Sequence, residues 1–458
     1  MFGRLKRIHF VGIGGVGMSG IALVLKNLGF EVSGSDLKES ETTRRLASRG
    51  IRVAIGHDAA NCADAEVVVF STAVSGENPE IEFARAKGIP VIRRAEMLAE
   101  LMRLKFAVAI SGSHGKTTTT SLVAHIMMKA GLDPTTVIGG RILGAEDGAR
   151  LGQSEYLVAE ADESDRSFLA LYPSMAVVTN IEPEHLDFYK DLADLKREFV
   201  RFLNRVPFYG SVVLCLDSPA VRSIRHRVKR RVVTYGLETP ADFTAKDVQL
   251  YSWTAAWTVL FAGKEVGRFS LGMPGRHNVQ NALGAIATAN ELGIDFRTIE
   301  QALATFAGIH RRLERRGEKR GVSVFDDYGH HPTEVRVTLE ALRNAFPDRR
   351  IVVVFQPHRY TRTKFLAKDF GTSFNAADEV VITSIYAASE PQIPGVDETL
   401  IVNAIRERGR AGLVVHHVAE LADVVPMLVK RLKPADVVLT LGAGSITTLA
   451  ERLLAALE

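Results

Sequence analysis

Three apolar, strand-like runs of this chain each lead directly into a glycine-rich turn, and this feature most constrains the fold. The turns span residues 12–17, 112–115 and 442–444. In parallel α/β sheets, such a turn opens the nucleotide-binding edge, because it brings backbone N–H groups close to a phosphate at a helix N-terminus. The pattern therefore predicts three α/β modules, each built on a mostly parallel sheet.

The chain length agrees with three modules, because 458 residues exceed what one ordinary core accommodates. Strand-like and helix-like runs alternate almost throughout. We predict an α/β protein with a Rossmann-like domain over 1–100, a central P-loop ATPase-like domain over 101–311 and a Rossmann-like domain over 312–458. The alternating, aromatic stretch 240–266 predicts antiparallel strands inserted at a sheet edge.

Composition narrows the setting of the protein. No window approaches the roughly 20 apolar residues of a membrane helix, and early glycines interrupt the N-terminal apolar run, so we expect a cytoplasmic protein. The two cysteines, Cys62 and Cys215, lack metal-ligand spacing and predict plain packing roles. The basic run 225–231 has no interleaved aromatic residues, which favours a solvated face over a nucleic-acid patch.

The first glycine turn, 12–17, follows an apolar run, and Asp36 ends the second apparent strand, where a ribose-binding acid usually sits. Glycines there permit close approach of backbone N–H groups to a diphosphate. The loop does not say which diphosphate is bound. A nicotinamide dehydrogenase, or glycines that serve packing alone, are the alternatives.

The second glycine turn lies in SGSHGKTT, residues 111–118, after the apolar run 107–110. Backbone amides can surround phosphates here, Lys116 can reach the terminal ones, and the Thr117 hydroxyl can bind Mg²⁺. The first glycine comes two positions later than in the general P-loop pattern. A dehydrogenase has no need of a triphosphate, whereas a ligase that activates a nucleotide-linked acid with ATP needs both loops.

Acidic and histidine-bearing segments follow the second loop. The apolar run 155–159 ends at Glu160, where we expect a second Mg²⁺ ligand, with Asp162 and Glu163 supporting it. A solvated acidic turn is the alternative. His185 follows a further strand-like run and a proline turn, and a lone histidine is more often structural than a ligand. Its neighbouring motifs favour the ligand.

Taken in order, these motifs resemble the Mur ligase family across essentially the whole chain. The resemblance rests on segments 112–118, 180–185, 274–281 and 308–313, together with the strand end at Glu160. It implies a ligase that uses ATP and Mg²⁺ to form an amide bond. It places the ATP phosphates at Gly112, Ser113, His114, Gly115, Lys116, Thr117, Thr118 and Arg312, the adenine side at His277, Asn278 and Asn281, and Mg²⁺ at Thr117, Glu160 and His185.

Segments 326–332 and 356–362, with the first loop 13–18, resemble the branch that joins L-alanine to the lactyl carboxylate of UDP-N-acetylmuramic acid. We expect these two substrates, no nucleic-acid or membrane partner, and a monomer or weak homodimer. The related ligase that recycles a whole tripeptide is the alternative, but its first loop carries a cysteine that this chain lacks. Several Mur ligases have a carbamylated lysine, for which 199–202 offers none, and the alanine-adding branch is understood to do without it.

The same resemblance implies the substrate-side residues. Those for the UDP sugar are Gly14, Gly15 and Gly17 at the diphosphate, Asp36 near the ribose, and Ser71, Thr72 and Ala73 on the sugar side. Those for the amino acid are Asp327, Tyr328, His330, His358, Arg359 and Arg362, with Asp327 or His330 accepting the amine proton.

The basic pair within that second set depends on local structure. If 359–362 is helical, Arg359 and Arg362 face one side and can hold a carboxylate by paired hydrogen bonds, and a surface helix is the alternative. The alternative for the histidine pair at 330–331 is a structural role or a helix cap. A P-loop switch that hydrolyses ATP only to change shape has no need of this second pocket.

Overall fold

The computed structural model describes residues 5–71, 74–144, 149–184, 188–388 and 390–457, apart from the Val16 side chain. The chain divides into two compact units. Unit 1 comprises 1–246, 258–269 and 280–306, and unit 2 comprises 247–257, 270–279 and 307–458. Unit 1 carries a five-stranded sheet and most of a ten-stranded sheet, and unit 2 carries a six-stranded sheet.

The five-stranded sheet is wholly parallel and has the order β3-β2-β1-β4-β5. Its strands are β1 (Arg7–Val11), β2 (Glu31–Asp36), β3 (Arg52–Ile55), β4 (Val67–Phe70) and β5 (Val91–Arg93), with helices α1 (Val16–Asn27), α2 (Glu41–Ser48), α3 (Pro79–Ala86) and α4 (Arg94–Arg103). The order reverses between β1 and β4. Ligands of doubly wound sheets bind at such a reversal, beyond the carboxyl ends of the strands.

The ten-stranded sheet has β6 (Phe106–Ser111) near its middle. The other strands are β7 (Thr135–Val137), β8 (Ala149–Arg150), β9 (Tyr156–Glu160), β10 (Met175–Val178), β11 (Ser211–Cys215), β12 (Arg231–Tyr235), β13 (Phe243–Leu250), β14 (Ala255–Phe261) and β15 (Lys264–Leu271). The helices are α5 (Lys116–Lys129), α6 (Leu192–Leu203), α7 (Pro219–Ile224), α8 (Arg276–Glu291) and α9 (Phe296–Ala304). The order is β15-β14-β13-β12-β11-β10-β6-β9-β7-β8, so both β9 and β10 flank β6.

The two sheets of unit 1 share one continuous core. Helix α1 packs on the edge strands of the larger sheet, because a Cβ at Gly20 would lie 2.9 Å from the Cβ of Ala149 and 3.7 Å from Val137. A larger residue at Gly20 would push the two surfaces apart. The helix that follows the first glycine turn is therefore held against the domain that carries the second.

The sheet of unit 2 has the order β16-β17-β21-β18-β19-β20, with β16 antiparallel and the others parallel. The strands are β16 (Glu314–Lys319), β17 (Val322–Asp327), β18 (Ile351–Phe355), β19 (Glu379–Ile382), β20 (Val414–His417) and β21 (Val437–Leu441), and the helices are α10 (Pro332–Ala345), α11 (Tyr360–Ser373), α12 (Thr399–Arg408), α13 (Leu421–Val429) and α14 (Thr448–Ala456). Alternate side chains of the central strands enter two separate cores, one on each face.

The predicted fold class is confirmed: three α/β sheets, two of them in unit 1, follow one another along the chain. The stretch 240–266 does contribute strands, β13 to β15, at one end of the second sheet. The domain boundaries near 100 and 312 stay predictions. Among the described residues, no helix combines the length and the apolar character that crossing a bilayer takes.

Candidate active site

The second glycine turn depends on two glycines. Gly112 has a φ of +136°, and a Cβ there would clash with the Thr179 hydroxyl. Gly115 caps α5 with a φ of +79°, and a Cβ there would lie 2.5 Å from Asn281 Oδ1. Only glycine fits both positions, which keeps the backbone tight at the N-terminus of α5, where phosphates bind.

A neighbouring segment holds this turn from outside. The His114 N–H donates to Asn180 Oδ1 at 2.8 Å, and Asn180 Nδ2 and Thr179 Oγ1 donate to the His114 carbonyl at 3.0 and 2.5 Å. The Glu182 N–H donates to Ser113 Oγ at 2.9 Å. Asn180, which lies in a predicted motif segment but had no assigned role, thus holds the glycine turn in place.

Lys116 is held inside the turn. Its ammonium donates to the Gly112 carbonyl at 2.6 Å and to both carboxylate oxygens of Glu163 at 2.9 Å. Burial alone lowers the pKa of Lys116, but the negative charges of Glu163 and Asp162 outweigh it and raise the pKa above its usual value. Lys116 is a permanent cation, and Glu163, which is almost fully buried, is its counter-ion.

The predicted metal ligands fit Mg²⁺ by their chemistry, since hydroxyl and carboxylate oxygens are its preferred donors. Thr117 lies buried in the first turn of α5. Glu160 ends β9, and its Oε1 accepts from the Gly139 N–H at 2.7 Å. His185 lies outside the described residues. The Mg²⁺ set therefore stays a prediction.

The first glycine turn is held by hydrogen-bond acceptors at the end of β2 and not by a cationic side chain. The N–H groups of Gly12 and Ile13 both donate to the Ser35 carbonyl at 2.9 Å. The Gly14 N–H donates to Asp36 Oδ2, also at 2.9 Å. The turn is therefore anchored on the end of β2, and Asp36, which we expect near the ribose, also holds the loop.

Ser71 follows β4 at the same sheet edge, with its Oγ 3.8 Å from the position of a Gly12 Cβ. The other two predicted sugar-side residues, Thr72 and Ala73, lie outside the described residues. Gly15 caps α1, and its N–H donates to the Gly12 carbonyl at 3.2 Å.

A buried carboxylate lies behind this turn. Glu80 accepts from Ser35 Oγ at 2.5 Å, from Asn61 Nδ2 at 2.7 Å and from the Asp58 N–H at 3.2 Å, and His9 Nε2 lies 3.4 Å away. Burial raises the pKa of Glu80, but the hydrogen bonds from His9, Ser35 and Asn61 prevail and lower it to about 2. Glu80 was not predicted, because its partners come from three distant stretches of sequence.

The three predicted adenine-side residues do not form one group within a single unit. Asn281 lies in unit 1 beside Gly115. In unit 2, Asn278 Nδ2 donates to the Pro274 carbonyl at 2.8 Å. Burial, aided by the charge of Arg312, lowers the pKa of His277 to about 4, so this imidazole is neutral at physiological pH.

Asp327 organises the chain around Arg312 in unit 2. Its Oδ2 accepts from the Leu313 N–H and its Oδ1 from the Gly329 N–H, both at 2.7 Å. Burial raises the pKa of Asp327 to about 6, although the Arg312 charge opposes the rise. The carboxylate thus ties the end of β17 to the segment that carries the arginine.

A row of rings continues from this point. The ring centres of Tyr328 and His330 lie 5.4 Å apart, those of His330 and His358 5.5 Å apart, and Tyr386 stacks on His358 at 5.7 Å. The predicted Tyr328, His330 and His358 are brought together, and Tyr386 joins them unpredicted. A row of aromatic and imidazole rings offers a binding surface with polar edges.

Two adjacent arginines flank the first ring. The guanidinium carbons of Arg311 and Arg312 lie 4.9 and 5.3 Å from the Tyr328 ring centre, which is cation–π geometry. Arg311 also donates to Asp326 Oδ2 at 3.2 Å and to the Gly442 carbonyl at 2.6 Å. Arg311 was missed because the sequence does not tell which of two neighbouring arginines turns inward.

The condition for Arg359 and Arg362 to share a helical face, a helix over 359–362, is not met. Helix α11 begins at Tyr360, and Arg359 precedes it with a φ of +71°. Arg362 Nη1 lies 3.1 Å from both Nδ1 and the carbonyl of His358, whereas Arg359 Nη1 lies 3.8 Å from Glu390. Their roles in binding a carboxylate stay predictions. The histidine alternative holds in part, because His331 caps α10.

The third glycine turn differs from the other two. A Cβ at Gly444 would lie 2.5 Å from Gln356 Oε1 and 2.6 Å from the Tyr386 ring, and Gln356 Oε1 accepts from the Ile446 N–H at 3.0 Å. The Gln356 and Tyr386 side chains pack against this turn, and its nucleotide-binding role stays a prediction.

Family models match nearly the whole chain in the order of its three sheets. The Mur ligase family catalytic-domain model matches 7–106, the Mur ligase middle-domain model matches 110–289, and the Mur ligase glutamate-ligase-domain model matches 311–444. The chain belongs to the Mur ligase family. The glycine turn around Lys116 thus lies in the middle domain of a Mur ligase, and the ring row lies in the third.

Similar proteins narrow the comparison. The chain is 53% identical to the UDP-N-acetylmuramate–L-alanine ligase of Sorangium cellulosum, covering 100% of this chain and 97% of that protein. It is 51% identical to the ligase of the same name from Geobacter sp., covering 100% and 99%. The solved UDP-N-acetylmuramate–alanine ligase of Thermotoga maritima superposes with a TM-score of 0.83 at 31% identity, covering 99% of each chain. A murein peptide ligase of Psychrobacter arcticus gives a TM-score of 0.74 at 25% identity, covering 99% of this chain and 98% of that one.

Proposed function

We propose that this Mur ligase joins L-alanine to the lactyl carboxylate of UDP-N-acetylmuramic acid at the expense of ATP, in the bacterial cytoplasm, for peptidoglycan precursor synthesis. The observation that carries the proposal is the pair of glycine turns in unit 1, one closed around Lys116 and one anchored on Asp36. Identity above 50% to ligases named for this reaction, over the whole chain, supports the choice of substrates.

The chemistry explains why such an enzyme needs two phosphate-binding loops. A carboxylate does not acylate an amine directly, because the oxygen it would have to expel is a poor leaving group. Transfer of the γ-phosphoryl group of ATP to the carboxylate gives an acyl phosphate and ADP. The amine of alanine then attacks the acyl carbon, the amide bond forms, and inorganic phosphate leaves with the oxygen.

Lys116 meets the main electrostatic demand of the first step. Two anions, a carboxylate and a triphosphate, must approach each other, and a preorganised cation lowers that repulsion most effectively in a site shielded from water. Lys116 remains charged at any physiological pH and is already fixed within the turn. Mg²⁺, held through Thr117 and Glu160, would supply further neutralisation of phosphate charge.

Unit 2 carries the groups suited to the amino acid. We assign the alanine carboxylate to Arg359 and Arg362, since guanidinium groups bind carboxylates by charge-assisted hydrogen bonds. The amine must lose a proton as it attacks, and Asp327 or His330 accepts it. The raised pKa of Asp327, about 6, makes that carboxylate a better base than an ordinary aspartate.

The direct test is ATP-dependent phosphate release with UDP-N-acetylmuramic acid present and L-alanine added last. We expect release only when both compounds are present. Release with the nucleotide sugar and a peptide, but not with alanine, would instead indicate the tripeptide-recycling activity. Release that ignores both compounds would indicate an ATP-driven switch. Gel filtration at several concentrations tests the expected monomer or weak homodimer.

A further inference from the structure

The first glycine turn contains no cationic side chain of its own. The diphosphate of a UDP sugar carries two negative charges, yet residues 12–17 contain no lysine or arginine. Asp36, which holds the turn, adds a negative charge of its own. Backbone N–H groups and a helix N-terminus compensate only part of this charge. A cationic side chain from elsewhere in the fold would balance the rest.

Arg94 lies where such a cation would act. It is the first residue of α4, and its guanidinium rests against the first turn of α1: a Cβ on Gly17 would lie 3.0 Å from Arg94 Nη1 and 3.4 Å from its Cζ. Gly17 is therefore small for a specific reason. Any side chain there would displace the arginine.

The guanidinium of Arg94 still has its donors available. Within the part of the chain that the structure describes, Arg94 forms an ion pair with Asp162, but at 3.9 Å between Nη2 and Oδ2 this pair is longer than a hydrogen bond. Arg94 donates no hydrogen bond to any of the described residues, and 22% of its side-chain surface is exposed to solvent. A planar guanidinium whose N–H groups make no other hydrogen bonds can donate to two phosphate oxygens at once.

We propose that Arg94 binds the diphosphate of the nucleotide sugar, with Gly17 providing the space and Asp162 steering the guanidinium in the ligand-free protein. The inference rests on the proposed function and deepens it, because it names a side chain that recognises the diphosphate. Asp162 follows the strand end at Glu160, so Arg94 also lies between the diphosphate turn and the acidic end of β9.

Calorimetric binding of UDP-N-acetylmuramic acid, UDP and uridine, without ATP or Mg²⁺, tests the proposal. Arg94→Gln should lower the affinity for UDP and for the nucleotide sugar by about tenfold or more, which is the value of a charge-assisted hydrogen bond. The affinity for uridine, which has no phosphate, should not change. Arg94→Lys should recover part of the lost affinity, since lysine restores the positive charge but cannot form the two parallel hydrogen bonds of a guanidinium. Arg103→Ala is the matched control, because Arg103 lies on the same helix but contacts Glu100 and the Tyr172 ring instead of Gly17.

The Asp162→Asn substitution distinguishes a role of Arg94 in ligand binding from a purely structural role in the ion pair with Asp162. If Arg94 serves only to link α4 to Asp162, the two substitutions should weaken UDP equally. If Arg94 binds the diphosphate, Asp162→Asn should bind UDP at least as tightly as the unsubstituted protein, because a competing anion is removed. Equal UDP affinity in Arg94→Gln and the unsubstituted protein would overturn the inference. Failure of the unsubstituted protein to bind the nucleotide sugar would instead overturn the proposed function.

Discussion

The two glycine turns of unit 1 share a backbone plan but differ in what holds them. In the first, the loop amides donate to acceptors at the end of β2, the Ser35 carbonyl and the Asp36 carboxylate. In the second, Asn180 accepts a hydrogen bond from the loop N–H of His114, and Lys116 lies within the loop and donates to Glu163. The second carries its cation, Lys116, in its own sequence, whereas Arg94 of α4 is the cation that we propose for the first. The strand–turn–helix motif indicates phosphate, and the surrounding side chains decide how the charge is balanced.

The largest expected difference between the turns lies in Lys116. Lys116→Ala should reduce ATP-dependent phosphate release by roughly 10²–10³-fold or more, because a preorganised cation for the transferred phosphoryl group is lost. Affinity for UDP-N-acetylmuramic acid should stay within a factor of about three, since the first turn is untouched. Lys129→Ala, on the exposed end of the same helix, is the control. Activity of Lys116→Ala close to that of the control would contradict the role given to the second turn.

The turns should also differ in their response to pH. Glu80 has a folded pKa of about 2, below its ordinary value, so its stabilising effect is present at neutral pH and is lost as the pH falls through the range from about 4.5 to 2. Glu80→Gln should lower the free energy of unfolding by about 3 kcal/mol at pH 7, and the difference should vanish in acid. Lys116, whose pKa is raised, has the opposite sign: its stabilisation is present below its ordinary pKa and is lost only in strong alkali.

Urea unfolding of the unsubstituted protein and of Glu80→Gln at several pH values measures this difference. A destabilisation that persists unchanged down to pH 2 would show that Glu80 acts by shape and not by charge.

Gly112→Ala should damage the second turn more than any alanine substitution damages the first. Its φ of +136° disfavours a side chain, and the added Cβ would meet the Thr179 hydroxyl. We expect a cost of roughly 1–3 kcal/mol and a matching rise in the KM for ATP. Gly131→Ala is the matched control, because Gly131 also has a positive φ, +77°, but no atom lies within 4 Å of its Cβ position. A KM for ATP that rises equally in both variants would point to general destabilisation.

Gly14→Ala should give the smallest effect, and on the other substrate. The new Cβ would lie 2.8 Å from Asp36 Oδ2, which is the end of a side chain that can rotate away, so we expect only a several-fold rise in the KM for UDP-N-acetylmuramic acid, roughly 1 kcal/mol. The KM for ATP should not change. A rise in the KM for ATP without a rise in the KM for the nucleotide sugar would contradict the assignment of one substrate to each turn.

Much of the site could be predicted because its signals are local in sequence. The turn around Lys116, the carboxylate at Asp36 and the proximity of Tyr328, His330 and His358 follow from short motifs beside strand ends, and parallel strands bring their carboxyl ends to one edge. The helical alignment of Arg359 with Arg362 is absent for a local reason too. A positive φ before α11 was not apparent from the residue types.

The sequence by itself determined the three α/β sheets, the order of the glycine turns and the residues that must be glycine or lysine there, since periodicity and turn chemistry depend on near neighbours. Only the tertiary structure decided that Glu163 balances Lys116, that Glu80 supports the first turn and that Arg94 rests on Gly17. These partners are 47, 45 and 77 positions apart in the chain, counting Glu80 from Ser35. A buried charge selects its partner by distance in space, and distance in space is set by the packing of the sheets.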